Sequence, residues 1–264
     1  MQLNLIKKNQ TKTEYFVLVK NTDEYILNAI RRSAISLVPT MAIERVEYRK
    51  NSSVMYDEVL AHRLGLIPLK TDLKSYDIPE KPEDMESLKC TVKLSLKMKG
   101  PKTVYSGDFK SADPAVVPVE EKLPLVKLAK GQELAVEATA VLGRGKEHMK
   151  WSPGIVFYKH KPVVAVDKNV DVEELAKNLP DSSAISIKNG KVSVDEDVLY
   201  TTSYFDGFSN ESVVDGLDIG VADNEFILYV ESFGQLSPKE MMITAVDILK
   251  ERLQEFSGKI SKLD

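Results

Sequence analysis

The sequence predicts an α+β protein in which both ends of the chain form one discontinuous domain, with a β-rich domain inserted between them. The two most regular amphipathic helices lie near opposite ends of the chain, and a strand precedes each of them. Between them, short alternating segments are separated by turn residues, which is typical of antiparallel sheets. The length of 264 residues exceeds the size of an average domain, so more than one compact unit is expected.

The first elements are a strand at residues 16–21 and a helix after it. Asn21 and Glu24 have the spacing of a capping box, which predicts that Asn21 caps the helix. Pro39 marks the end of the helical pattern. The apolar side chains that recur at helical spacing are Ile26, Leu27, Ile30, Ala34, Leu37 and Val38.

Alternation of polar and apolar residues predicts strands in the middle of the chain. Residues 44–51 alternate in this way, and a second helix is predicted at residues 56–65. Residues 71–87 combine prolines with many charges and have no periodicity, as a loop does. Residues 90–100 are the clearest strand, and shorter ones follow. Its inward side chains are predicted to be Val92, Leu94, Leu96 and Met98.

Residues 161–205 are predicted to form a small βα-hairpin module. A strand at 162–166 precedes an acidic helix at 170–179, and two alternating strands then flank the dipeptide Asn189-Gly190. That dipeptide favours a hairpin because a type I′ turn needs φ > 0 at both central residues.

The C-terminal part of the chain is predicted to be a strand at 224–234 followed by a long helix. Ser237 and Glu240 form a second capping box, with Pro238 at the first helical position. The apolar face of this helix contains Met242, Ala245, Val246, Leu249, Leu253 and Phe256. A helix of about 20 residues is about 30 Å long, and its apolar stripe needs a cover that a partner chain could supply.

Composition excludes several classes of protein. The net charge is −4 and the pI is near 5.6, so direct specific DNA binding by this chain alone is not expected. The single cysteine, Cys90, excludes an internal disulfide and a cluster held by four thiolates, and fits a reducing compartment. Without a long apolar run or a leader pattern, the chain is expected to be cytoplasmic and not membrane-bound.

No catalytic motif or metal-binding motif stands out. His62, His148 and His160 lack the spacing of a helical metal site, and the glycines of residues 143–146 are interpreted as a turn. Arg31 and Arg32 are interpreted as solvating side chains or as part of a protein interface. Two hypotheses therefore remain: a subunit that pairs through its helices, and an enzyme whose site carries no recognisable motif.

Long segments of the chain resemble one family. Residues 21–69 contain NAIRR and AHRLGLIPL, residues 143–153 contain KEHMKWSP, and residues 94–109 and 226–256 agree in the same order. These segments are similar to the α-like subunits of multisubunit RNA polymerases, specifically the archaeal D subunits. The KEHMKWSP string points to the archaeal and eukaryotic branch of that family.

The resemblance implies a non-catalytic assembly subunit with a fold like the N-terminal part of bacterial α. It implies a dimerisation domain at 1–46 and 216–264, an inserted β-rich domain at 47–160 and 206–215, and a ferredoxin-like module at 161–205. The partners implied are subunit L as the heterodimer partner, the second-largest catalytic subunit, and the small zinc-binding subunits N and P.

The resemblance also implies two sets of binding residues. In the family, the second arginine of the NAxRR string, here Arg32, belongs to the surface that docks the large subunit, and Arg31 accompanies it. The residues expected at the dimer interface are Ile26, Ile30, Ala34, Leu37, Met242, Val246, Leu249 and Leu253.

In one respect the sequence departs from the family pattern. Many archaeal members hold an iron–sulfur cluster in the ferredoxin-like module, but residues 161–205 contain no cysteine. Because such clusters need thiolate ligands, we expect no cofactor. A module of about 45 residues is near the lower size limit for independent stability, so we expect it to lean on the inserted domain.

Overall fold

The computed structural model describes residues 1–166, 184–188, 191–202 and 217–263. The chain forms two compact units: the first contains residues 1–29 and 156–231, and the second contains residues 30–155 and 232–264. The division falls within the first helix, between Ala29 and Ile30. The presence of both helices and sheets confirms the predicted mixed α and β composition of the fold.

The strands alternate with short turns through most of the chain. They are β1 (Gln2–Lys8), β2 (Glu14–Lys20), β3 (Pro39–Asn51), β4 (Thr91–Lys99), β5 (Lys102–Tyr105), β6 (Lys110–Ser111), β7 (Pro124–Leu128), β8 (Glu133–Arg144), β9 (Gly154–Val166), β10 (Ile185–Lys188), β11 (Lys191–Val194) and β12 (Leu217–Ser232). The helices are α1 (Glu24–Ser36), α2 (Asp57–Gly65), α3 (Glu196–Thr201) and α4 (Pro238–Ile260), and short 3₁₀ turns occupy Pro82–Glu86, Ser106–Asp108 and Met149–Trp151.

The first unit is built on a sheet of strand order β1-β2-β12-β9. Strand β2 pairs antiparallel with both β1 and β12, so the two ends of the sequence meet in one sheet. Alternate β2 residues face opposite sides: Val19 is fully buried, while Phe16 and Leu18 join an apolar cluster on the other face.

That apolar cluster contains the described part of the predicted module. Ile185, Leu199 and Tyr200 pack with Ile227 of β12. The expectation that this module leans on the inserted β-rich domain was therefore wrong, because its described residues pack against the sheet formed by the chain ends. Side-chain periodicity shows that a strand has an apolar face but does not identify the surface that covers it.

The hairpin in this module is confirmed as a pair of strands. Strands β10 and β11 are antiparallel, with Lys188 opposite Lys191, as a two-residue connection requires. The turn residues Asn189 and Gly190 and the predicted helix at 170–179 lie outside the described residues. The predicted strand at 162–166 is the end of β9, which runs unbroken from Gly154.

The second unit contains a sheet of strand order β3-β8-β4-β6 and the small β5-β7 pair. The predicted inward face of β4 is confirmed, because Val92, Leu94 and Leu96 are all buried in the main core and the half-buried Met98 packs against it. Leu60 and Leu64 of α2 are fully buried in the same core. Alternating apolar side chains thus set the strand register, and α2 contributes to the core beside them.

The KEHMKWSP segment has a structural role in the second unit. The Trp151 ring is buried beside Ala42 and Val141, and its Nε1 donates to the Val141 carbonyl at 3.2 Å. A Cβ on Gly143 would lie 2.3 Å from this ring, so only glycine leaves room for it. The turn predicted at 143–146 is found one residue later: Gly143 and Arg144 end β8, and the Glu147 amide donates to the Arg144 carbonyl at 2.9 Å.

The predicted cap of the first helix was wrong. Asn21 has φ 56° and its amide donates to the Asn224 carbonyl, so it belongs to the turn that leaves β2. The Asp23 carbonyl instead accepts from the amides of Ile26 and Leu27, and the helix begins at Glu24. Asparagine tolerates positive φ, and here the turn uses that property.

Candidate partner-binding surface

The first terminal helix, α1, buries one side and exposes the other. Leu27 and Ala34 are buried, with exposed fractions of 2% and 0%, while Ile26 is 37% exposed. Ile30 and Leu37 are half-buried. Of the four residues predicted here to contact a partner, Ile26, Ile30 and Leu37 keep an accessible surface and Ala34 does not, and Leu37 directly follows the last residue of α1.

The second terminal helix, α4, begins as predicted. The Ser237 Oγ accepts from the Glu240 amide at 3.2 Å, and a Glu240 carboxylate oxygen accepts from the Ser237 amide at 3.0 Å. The hydrogen bonds from Ser237 hold the pKa of Glu240 below its ordinary value. The helix start is therefore fixed by its own side chains.

One buried hydrogen bond joins α1 to α4 within the second unit. The Ser33 hydroxyl donates to the Ala245 carbonyl at 2.7 Å. Ala34 and Ala245 are both fully buried, and small side chains at a helix contact permit a short distance between helix axes. The face of α4 that packs inward is thus formed by Pro238, Met241 and Ala245.

The side of α4 next to this inward face carries a largely exposed apolar row, which we call the α4 stripe. Met242 and Leu249 are half-buried, whereas Val246 is 45% exposed and Leu253 is 61% exposed. The row continues beyond the predicted residues. The α4 stripe consists of Met242, Val246, Leu249, Leu253, Phe256 and Ile260.

The predicted interface residues of α4 therefore lie outside the fully buried face of this helix. Met242, Val246, Leu249 and Leu253 all lie on the α4 stripe, and the first two directly follow the buried Met241 and Ala245 in the sequence. Phe256 is 62% exposed and Ile260 is 49% exposed, although the predicted interface ends at Leu253. The sequence alone indicates that Phe256 and Ile260 continue the row, because they follow Leu253 by three and seven residues.

The adjacent arginines of α1 differ in exposure. Arg32 is exposed and Arg31 is half-buried. A guanidinium group exposed at the surface can form bidentate bonds with a carboxylate of another chain. This placement is compatible with either of the two interpretations of the arginine pair.

The histidines do not form a metal centre among the described residues, in which no group of three or more His, Cys, Asp or Glu side chains converges. His62 and His148 line the same small pocket, of about 160 Å³, together with Lys150. The Lys150 ammonium donates to the Ile43 carbonyl at 3.1 Å, pairs with Glu44 and lies 4.4 Å from the Trp151 ring centre. Its contacts are those of a packing residue.

The single thiol has the environment of a core residue. Cys90 is 6% exposed, and burial, with a smaller contribution from Asp84 and Asp77, raises the pKa of its thiol. A raised pKa disfavours the thiolate, which is the nucleophilic form.

Among the described residues, no helix has the length and apolar character needed to cross a bilayer.

The second unit also has a groove that the sequence did not predict. It has a volume of about 990 Å³ and runs between the loop around Asp77 and Lys89 and a side of α4 that includes Thr244 and Ile248. Loops without periodicity give no sequence signal for the path that they follow, so this groove could be found only in three dimensions.

A family model describes the inserted part of the chain. Residues 35–156 match the RNA polymerase Rpb3/RpoA insert domain, a range close to the first segment of the second unit. This match points to a class of protein: an RNA polymerase subunit that carries the insert domain of Rpb3 and RpoA.

Relatives identify the family within that class. The chain is 33% identical to DNA-directed RNA polymerase subunit Rpo3 of Pyrococcus furiosus, over 100% of this chain and 98% of the relative. It is 35% identical to the Rpo3 subunit of Thermococcus kodakarensis, over 100% and 99%, and 37% identical to that of Methanobrevibacter smithii, over 94% and 95%. The chain belongs to the Rpo3 family, which comprises the D subunits of archaeal RNA polymerases.

Family membership decides between the two hypotheses from the sequence. The resemblance to the archaeal D subunits is confirmed, and with it the prediction of a non-catalytic subunit of an enzyme complex. The alternative, an enzyme with an unrecognised site, was wrong.

Proposed function

We propose that this chain is an assembly subunit that forms a heterodimer with the small α-like subunit L and then docks the second-largest catalytic subunit in the cytoplasm. In this proposal the terminal segments of the chain form a discontinuous dimerisation domain. Subunits N and P bind nearby, and residues 161–205 form a ferredoxin-like module without a cluster.

The observation that carries the proposal is the exposed α4 stripe. Burying one leucine or phenylalanine side chain is worth about 1.5–3 kcal/mol, so a partner that covers the stripe gains several such contributions. Val246, Leu253 and Phe256 are each at least 45% exposed, and the helix keeps its form to Ile260. An exposed apolar row of this length is typical of a protein-binding surface.

Half-buried side chains of α1 and of the residue that follows it extend the same surface within the second unit. Ile30 and Leu37 retain accessible area, and the bond from Ser33 to Ala245 holds this part of α1 against α4. Both helices are thereby fixed before a partner arrives, which lowers the entropic cost of association. Arg32, exposed on α1, is assigned to the docking of the second-largest subunit.

The test is to place a charge in the α4 stripe and measure pairing with subunit L. Leu253→Asp would bury a carboxylate in an apolar contact, and co-purification with tagged subunit L should be lost. Gln254→Asp introduces the same carboxylate one residue away, at an exposed position beside the stripe, and should pair normally. Full-strength pairing by a folded Leu253→Asp variant would refute the proposed dimerisation surface.

A further inference from the structure

The α4 stripe has the spacing of a coiled-coil seam. Its apolar residues alternate steps of four and three, from Met242 through Val246 and Leu249 to Ile260, which is the pattern of heptad positions a and d. One further exposed apolar side chain, Ile243, lies at the flanking e position beside Met242, so the exposed row is a seam with one apolar flank near its start. The geometry of the row therefore favours one partner helix lying along α4.

The charges beside the stripe have one sign. The flanking heptad positions e and g, next to the seam, contain Lys250, Arg252 and Lys259, and they contain no acidic residue between Met242 and Ile260. All three cations are exposed. The acidic residues of this segment, Asp247, Glu251 and Glu255, lie at the remaining, outward positions of the heptad.

The helix itself explains only part of this pattern. Lys259 lies in the last turn, where a cation interacts favourably with the helix dipole, and it pairs with Glu255 at 2.5 Å. Lys250 and Arg252 lie well before the last turn, where the dipole effect has fallen off. No ion pair involves either of them in the described part of the chain. Their position beside the seam is better explained by a partner.

From this arrangement we infer that the helix of the partner subunit that lies on α4 carries acidic side chains on both sides of its own apolar seam. This inference rests on the proposed heterodimer and adds the chemistry of the partner. Charges at e and g positions set partner choice in coiled coils, so Lys250 and Arg252 would select an acidic helix.

A second copy of this chain fits less well than an acidic partner. In a self-pair the flanking positions within Met242–Ile260 bring cations and neutral side chains together, with no carboxylate to neutralise them. A lipid surface is also a poor occupant, because helices that lie on anionic membranes carry Lys and Arg across their polar face. The outward face of α4 carries Asp247, Glu251 and Glu255.

The experiment measures the Kd of the full chain for subunit L as a function of salt. With the parent chain, Kd should rise as salt is raised from about 50 mM to about 500 mM. The variant Lys250→Glu/Arg252→Glu should raise Kd about tenfold at low salt, and added salt should then improve its binding. Equal Kd values for parent and variant would refute the inference.

A matched control separates this result from a general effect of charge. Gln254→Glu/Ser261→Glu/Lys262→Glu changes the net charge by the same amount at positions that do not flank the stripe, two of them beyond the end of α4, and should leave Kd within about twofold. Circular dichroism shows whether each variant keeps its helix. If this control weakens binding as much as the flanking variant, local pairing is refuted.

Two further measurements test the other occupants. Sedimentation equilibrium of the chain alone should show no salt-stabilised dimer, and anionic vesicles of phosphatidylcholine and phosphatidylserine should not co-sediment with it. Either positive result would overturn the inference. The Leu253→Asp test is independent of this one. If Leu253→Asp abolishes pairing with subunit L but Lys250→Glu/Arg252→Glu leaves Kd unchanged, only the acidic partner helix is refuted. If Leu253→Asp still pairs, the proposed function is refuted.

Discussion

Replacing Gly143 by alanine should destabilise the second unit strongly for so small a change. The new Cβ would lie 2.3 Å from Cδ2 and Cε2 of Trp151 and 2.8 Å from its Nε1. The ring cannot stay in place, because a Cβ atom does not approach non-bonded carbon and nitrogen atoms this closely. The chain must therefore move the ring, the strand or both.

The cost can be estimated from the contacts that the Trp151 ring makes. Overpacking a well-packed core costs about 1–3 kcal/mol. Displacing the ring also weakens the bond from its Nε1 to the Val141 carbonyl, and a hydrogen bond of this kind contributes about 0.5–1.5 kcal/mol. Gly143→Ala should therefore lower the free energy of unfolding by about 2–4 kcal/mol.

Urea unfolding followed by fluorescence measures this change directly, because Trp151 is the single tryptophan of the chain. Gly65→Ala is the control: its Cβ would meet the nearest atom at 3.5 Å, an ordinary contact, and the substitution should be neutral or slightly stabilising. A Gly143→Ala variant with the parent's unfolding midpoint and fluorescence spectrum would refute the packing argument.

Three other outcomes are expected. Arg32→Ala should leave the pair with subunit L intact and weaken recruitment of the second-largest subunit in a reconstitution assay, whereas Arg45→Ala, another exposed arginine, should recruit like the parent. Protein purified without oxygen should contain no iron by elemental analysis, and stoichiometric iron would contradict the cluster-free module. Lys161 and Lys20 donate hydrogen bonds to Glu225 and lower the pKa of its carboxyl group. The stabilisation of the first unit by Glu225 is therefore fully present above the pKa of an unfolded glutamate, about 4.3. It is lost as the pH falls through the lower pKa of Glu225 in the folded protein. Glu225→Gln should flatten that part of the acid-unfolding curve measured by circular dichroism, and an unchanged curve would show that the ion pairs contribute nothing.

The parts of the fold that follow strict periodicity could be predicted from the sequence. Strand β4 and the start of α4 were predicted closely, because alternation and a capping box are local signals. Strand β1 was missed, since it lies at a sheet edge and its Leu3 and Leu5 are exposed. The early part of β3 was missed because Met41, Ala42 and Ile43 are all buried and do not alternate.

The candidate site was predictable only in part for a related reason. The apolar positions of α4 are visible in the sequence, but which of them face inward depends on the neighbouring helix. Ala245 is buried where α4 meets α1, and its carbonyl accepts from Ser33, a residue that is 212 positions away in the sequence. No local pattern contains this contact, so the division between buried core and exposed stripe needs the three-dimensional structure.

The meeting of the chain ends has a consequence during synthesis. Strand β2 pairs with β12 through Lys20 and Glu225, and Ser33 reaches Ala245, so neither contact can form until the ribosome has made nearly the whole chain. The inserted segment at 35–156 is complete long before that and is free to fold first. Until then β2 and α1 lack the C-terminal segments with which they finally pair and pack. Joining β2 to β12 also closes a loop of about 200 residues, which is slow. A shortage of chaperones should therefore harm this protein most in the interval before its C-terminal segment is made.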